Sequence, residues 1–209
     1  MSRWQANLRP YLGYWVALWV LFILAYGGTN AIASAAGASF RLHAAWELSL
    51  PFVPAMIWPY LSLQFSFWLP LFLLDGAELR RFAISFALAI VVASAVFLVL
   101  PARVELERLA VVPGYERIFE LLYLVDPPYN SFPSLHVALG TLTLAAAARN
   151  ARYLRLRLAL WLWLAAMVLS VVLVHQHHLA DVAGGLGLGI WAYRRYRRAT
   201  AEALSRPWA

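Results

Sequence analysis

Two short stretches hold four of the chain's five histidines: NSFPSLHVAL from Asn130 to Leu139, and HQHHLADVAGG from His175 to Gly185. In the first, Pro133-Ser134-Leu135-His136 has the composition of a helix start. Proline is at home in a first helical turn, and Asn130 or Ser131 precedes it as a cap. The backbone N–H groups around Ser134, Leu135 and His136 would then point out of a helix N-terminus, which is an anion site favouring phosphate. In the second stretch, His177 and Asp181 are four residues apart and share a helix face. A carboxylate so placed holds one imidazole nitrogen and leaves the other exposed as a nucleophile or base.

These residues lie in a chain that is 63% hydrophobic and only 13% charged, outside the range of a soluble domain. A bilayer-spanning helix needs about 20 mostly apolar residues. The runs Leu12–Tyr26, Pro51–Leu74, Phe82–Pro101, Ser134–Ala148, Leu158–Val174 and Leu179–Tyr193 predict an all-α bundle of six transmembrane helices. The apolar runs are long and without alternation, which argues against strands. Short connections leave room for one membrane-embedded domain over residues 1–209. Ten Trp and ten Tyr suit two membrane interfaces. The N-terminal MSRWQANLRP, an apolar run and AIASAAGA imitate a secretory signal. That run is long for a signal core, and its removal would invert the next segment, so it reads as a retained span.

All seventeen basic residues are Arg. With six spans, thirteen fall on one side: Arg3, Arg9, Arg80, Arg81, Arg149, Arg152, Arg155, Arg157, Arg194, Arg195, Arg197, Arg198 and Arg206. Arg41, Arg103, Arg108 and Arg117 fall on the other. The positive-inside rule makes the first side cytoplasmic, with both termini on it. Both histidine stretches then open on the outer face of the inner (plasma) membrane, toward the periplasm or exterior. The net charge of +7 is chiefly a topology signal; RRYRR can also touch anionic lipid, whereas nothing points to nucleic acid. Each histidine-bearing helix has about 15 apolar residues, roughly 22 Å against a hydrocarbon core of about 30 Å. The histidines are therefore expected slightly below the surface, at the depth of a lipid phosphate.

PSLH (Pro133–His136), then Ser170, then His177 with Asp181, resembles the type 2 phosphatidic acid phosphatase superfamily. SFPSLH and QHH resemble the branch that includes the inositol phosphorylceramide synthases. The resemblance covers about residues 101–185. It implies that His177 attacks phosphorus and becomes a phosphohistidine, that Asp181 orients it, and that His136 protonates the leaving oxygen. Ser134 and the helix-start amides would hold the phosphoryl oxygens, with no metal and no cofactor. Two positions depart from the family pattern. The first family motif has a Lys and an Arg-Pro pair, where this chain has LPARVELERL and no Lys; Arg103, then Arg108, is the candidate phosphate clamp. The Arg that normally follows the third-motif serine is Val171, so His175 becomes the candidate cation.

The same residues and their neighbours admit other roles. His43 reads as a packing histidine and His178 as a supporting one. GGLGLG (Gly184–Gly189) lacks a preceding strand, so it reads as a close helix contact rather than a nucleotide loop. Glu105, Glu107, Glu116, Glu120 and Asp126 read as a solvated outer loop, with contact between some of them and a polar headgroup as the lesser alternative. His175, His177, His178 and Asp181 could by type ligate haem or a metal, but that leaves PSLH without a purpose. The expected activity is hydrolysis of a lipid phosphate or diphosphate such as undecaprenyl diphosphate, phosphatidic acid or phosphatidylglycerophosphate. Transfer of the phosphoryl headgroup to an alcohol is the alternative. The oligomeric state is left open.

Overall fold

The computed structural model describes residues 3–37 and 40–205; Arg206 and the Ala38 end of the signal-like stretch lie outside the described residues. Among the described residues regular structure is helical, and extended pairing is limited to two isolated bridges, Phe40 with Ala102 and Arg103 with Tyr129. Helix α1 (Arg3–Phe22) passes through a π-helical turn (Ile23–Gly27) into α2 (Gly28–Ala36). The apolar run Pro51–Leu74, expected as one span, is a 3-10 turn (Pro54–Met56) and three short helices instead: α3 (Ile57–Leu61), α4 (Leu63–Ser66) and α5 (Leu69–Leu73). Pro51, Pro54, Pro59 and Pro70 explain the breaks. Each lacks an N–H and crowds the preceding turn, so no continuous hydrogen-bond ladder can form.

Helix α6 (Gly76–Val99) starts on a capping box in which Asp75 accepts from the Glu78 N–H at 2.7 Å. An amphipathic helix α7 (Glu116–Val125) follows in the loop region, burying Phe119 and Leu122. Helices α8 (Leu135–Asn150), α9 (Leu154–Leu173) and α10 (Leu179–Ser205) follow. Among the described residues, three helical stretches are long and apolar enough to cross a membrane: Trp4–Ala35, Gly76–Val99 and Leu154–Leu173. Helix α10 runs twelve residues past Tyr193, where the expected span ends.

The shortest of the long helices, α8, is the central one. Leu135 and every residue from Val137 to Ala148 are buried, against α4, α5, α6, α9 and α10. A helix apolar on all sides is stable only when enclosed in this way. Its run of small residues lets neighbours approach closely. A Cβ on Gly185 of α10 would lie 2.5 Å from the Ser134 carbonyl oxygen, and one on Gly189 would lie 2.7 Å from that of Ala138. Thus GGLGLG is a helix-packing seam. By contrast, Val16, Val20 and Leu24, Leu98 and Val99 of α6, and Leu158, Leu162 and Leu169 of α9 are exposed. Apolar side chains outside, with Ser134, Asp181 and three histidines buried inside, are the arrangement of a protein dissolved in lipid.

Candidate active site

Ser134, not Asn130 or Ser131, caps α8: its Oγ accepts the Val137 N–H at 3.3 Å, and Pro133 precedes the helix. The two expected caps have other partners. Asn130 donates from Nδ2 to the Tyr26 carbonyl (3.1 Å) and to Thr29 Oγ1 (2.8 Å). The Ser131 hydroxyl donates to Asp181 Oδ1 at 3.3 Å. The Ser134 N–H is engaged as well, donating to the Asp181 backbone carbonyl at 3.0 Å. The remaining first-turn amides, those of Leu135 and His136, have no intrahelical acceptor to reach.

Asp181, wholly buried, organises the facing helix start. Its Oδ2 accepts the His178 N–H at 2.8 Å and stands 3.5 Å from His177 Nδ1. That separation is long for a hydrogen bond, as is common at catalytic pairs before substrate binds. His177 is presented by a tight exit from α9. Its own N–H and that of Gln176 both donate to the Val171 carbonyl at 3.0 Å, around His175 in left-handed conformation (φ 57°).

His136 and His177 line the same cavity, of about 310 Å³. Tyr26, Tyr60, Asp126 and Asn130 form its polar end with them, and aromatic residues such as Trp15 of α1, Phe67 just after α4 and Phe86 of α6 line the rest. His136 stacks on Tyr60, ring centroids 4.2 Å apart, and its Nε2 is buried without a partner. Two imidazoles, one backed by a carboxylate and one with a free nitrogen, can divide nucleophilic attack and proton transfer between them. A mainly apolar cavity leading away from them suits a hydrocarbon tail. Among the described residues no three His, Cys, Asp or Glu side chains form a metal-binding group.

A family model described as the PAP2 superfamily, the type 2 phosphatidic acid phosphatases, matches residues 35–194, most of the chain and both histidine stretches. The chain belongs to the PAP2 superfamily. No curated protein and no solved structure gives a significant match. Membership makes it a membrane enzyme of the phosphatase and phosphotransferase type that acts on lipids.

The three candidate phosphate ligands, Arg103, Arg108 and His175, differ in their surroundings, and none of them lines the cavity. Arg103 is exposed, its guanidinium 5.7 Å from the Tyr129 ring centre. Arg108 reaches inward, donating to the Asp126 carbonyl (2.8 Å) and to Gln176 Oε1 (3.0 Å), with Nε buried and unpartnered. Burial lowers its pKa from the ordinary guanidinium value, against the opposing pull of Asp126. His175 does not line the cavity. Its Nδ1 is 2.9 Å from the Glu107 carbonyl and its Nε2 is 3.1 Å from that of Leu50, so it ties two loops together. The Ser170 hydroxyl donates back to Met167 within α9.

Three features of this PAP2 member come from its tertiary structure. Asp126, read as part of a solvated loop, faces the cavity, with its carboxylate accepting from the Tyr26 and Tyr60 hydroxyls. Tyr26 sits in the π-helical turn, a kind of irregularity that recurs at functional sites. Glu47 is buried and accepts the Ala44 N–H (2.9 Å) and the Leu179 N–H (2.8 Å), anchoring α10 from a distant loop. Beside it His178 stacks on His43 at 4.4 Å, and its Nε2 accepts the Glu105 N–H at 3.0 Å. The ring proton of His178 is therefore on Nδ1, 3.5 Å from Glu47 Oε2. The signal available in the sequence was the isolation of each polar group among apolar neighbours.

Proposed function

We propose that the chain hydrolyses a lipid phosphate or diphosphate through a phosphohistidine on His177, at the outer face of a six-span bundle with both termini cytoplasmic. The observation that carries this reading is that His177 and His136 both line one apolar cavity, with the Asp181 carboxylate 3.5 Å from His177 Nδ1. His177 Nε2 attacks phosphorus while the bond to the leaving oxygen breaks, and His136 gives that oxygen its proton. Asp181 fixes the tautomer and stabilises the imidazolium that forms. Water then attacks the phosphohistidine, the P–N bond breaks and His136 takes the proton back. The Ser134 hydroxyl and the Leu135 and His136 amides hold the phosphoryl oxygens. Arg108 is better placed than Arg103 to balance their charge.

The test is phosphate release from purified enzyme over a panel of undecaprenyl diphosphate, phosphatidic acid and phosphatidylglycerophosphate, together with acid-quench trapping of labelled enzyme. Wild type should release phosphate and carry an acid-labile label, and His177→Ala should do neither. Full turnover by His177→Ala would end the mechanism.

A further inference from the structure

The polar end of the cavity holds more than the phosphohistidine chemistry uses. Asp126 Oδ1 accepts from the Tyr26 hydroxyl, and Oδ2 accepts from the Tyr60 hydroxyl at 3.0 Å. Both phenol protons are thereby engaged. Asn130, 1% exposed, has both donors of its amide directed at Tyr26 and Thr29, while its Oδ1 is buried with no partner. All four side chains other than that of Thr29 line the cavity together with His136 and His177. A carboxylate offers about four lone-pair positions, of which the phenols occupy two, and each phenol oxygen can also accept.

This stretch of wall therefore presents acceptors and no free proton. A phosphoryl group near neutral pH is itself an array of acceptors, so it gains nothing here and is repelled by Asp126. A hydrocarbon chain would leave the acceptors buried and unsatisfied, which is unfavourable. An aliphatic hydroxyl fits, because it brings the missing donor. We propose that Asp126 and Asn130, framed by Tyr26 and Tyr60, form a hydroxyl subsite adjoining the phosphoryl site. The hydroxyl has two possible sources with the same chemistry. It is carried by the lipid phosphate itself, a few bonds from phosphorus, or it belongs to a separate alcohol. In the first case it stays intact and orients the substrate. In the second its oxygen attacks the phosphohistidine, the P–N bond breaks, and its proton passes to His136, giving a phosphorylated alcohol in place of inorganic phosphate. The inference rests on His177 as the phosphoryl carrier.

The experiment uses a matched pair of substrates: 1-acylglycerol 3-phosphate, with its free 2-hydroxyl, and the 2-deoxy analogue of the same chain length. Rates are taken with and without added glycerol, label on His177 is followed throughout, and Asp126→Asn and Tyr26→Phe are run beside wild type. A hydroxyl on the substrate should raise kcat/KM by about 10- to 100-fold in wild type. A separate acceptor should instead make phosphorylated glycerol the main product from the deoxy analogue. In either case Asp126→Asn should move that ratio, or that partition, toward parity whatever its effect on absolute rate; Tyr26→Phe should move it the same way. Label on His177 with equal rates for the pair and only inorganic phosphate as product would overturn the subsite and leave the phosphohistidine reading standing. So would an Asp126→Asn enzyme slowed equally on both substrates, since the wall would then serve water or the fold. No label on His177 from either substrate would sink both.

Discussion

The Ser134 N–H donates to the backbone carbonyl of Asp181 at 3.0 Å, tying the start of α8 directly to the start of α10. The two histidine stretches, some forty residues apart in sequence, are held in register by this bond and by the Asp181 carboxylate. Asp181 thus stands 3.5 Å from His177 Nδ1, where the proposed mechanism has it orient the ring, and it is also a structural bracket for Ser131 and His178.

The two roles separate in two substitutions. Asp181→Asn keeps an acceptor for the His178 N–H but loses the charge facing His177. Phosphate release should fall by about 10²–10⁴-fold with little change in thermal unfolding in detergent. Asp181→Ala leaves the His178 N–H buried without a partner and should in addition lose about 1–3 kcal/mol of stability. Equal unfolding temperatures for the two variants would remove the bracket role.

Gly185 and Gly187 offer a control within one helix. A methyl on Gly185 would meet the Ser134 carbonyl at 2.5 Å, a backbone atom that cannot swing away, whereas nothing lies within 4 Å of one on Gly187. Gly185→Ala should cost about 1–3 kcal/mol through overpacking and lower activity by displacing the α8 start. Gly187→Ala should unfold and turn over like wild type. Activity assays and thermal unfolding on the pair decide it.

The clamp is tested by neutralising each arginine. Arg108→Gln should raise KM and lower kcat/KM by tenfold or more, a loss of about 1.4 kcal/mol or more in transition-state stabilisation. Arg103→Gln, at an exposed guanidinium, should change kcat/KM by less than about threefold. The reverse order would restore Arg103 as the phosphate ligand.

Acid should loosen the loop that anchors α10. Burial lowers the His178 pKa below its ordinary 6.5, in spite of Asp181 and Glu47. A histidine held neutral in the fold binds fewer protons than in the unfolded chain, so stability is intact above about pH 6.5 and declines as pH falls below it. His178→Gln should show a shallower loss of unfolding temperature between pH 7 and pH 5 than wild type. Parallel curves would mean that other groups set the acid sensitivity.

Topology follows from the arginine asymmetry. Reporters fused after Arg81, after Arg157 and at the C-terminus should signal cytoplasm, and one fused after Arg117 should signal the outside. An outside signal at the C-terminus would separate the two histidine stretches across the membrane.

Composition alone determined the helical membrane class, since a chain this apolar has to satisfy its backbone internally. The spacing of His177 and Asp181, with PSLH before them, pointed to the family because these are local patterns: four residues is one helical turn wherever the helix lies. What the tertiary structure decided was everything set by contacts between distant segments. Four prolines broke the second apolar run, and hydropathy averaged over a window is blind to that. Arg108 and Arg103 look alike in LPARVELERL, and only the docking of Asp126 and Gln176 against Arg108 distinguishes them. His175 looks unengaged in the sequence, whereas in space the Glu107 and Leu50 carbonyls lie against its two ring nitrogens. Asp126 looked solvated because its neighbours in sequence are a loop. Its neighbours in space are Tyr26, a hundred residues earlier, and Tyr60, sixty-six earlier, and a side chain's electrostatics follow from what surrounds it in space.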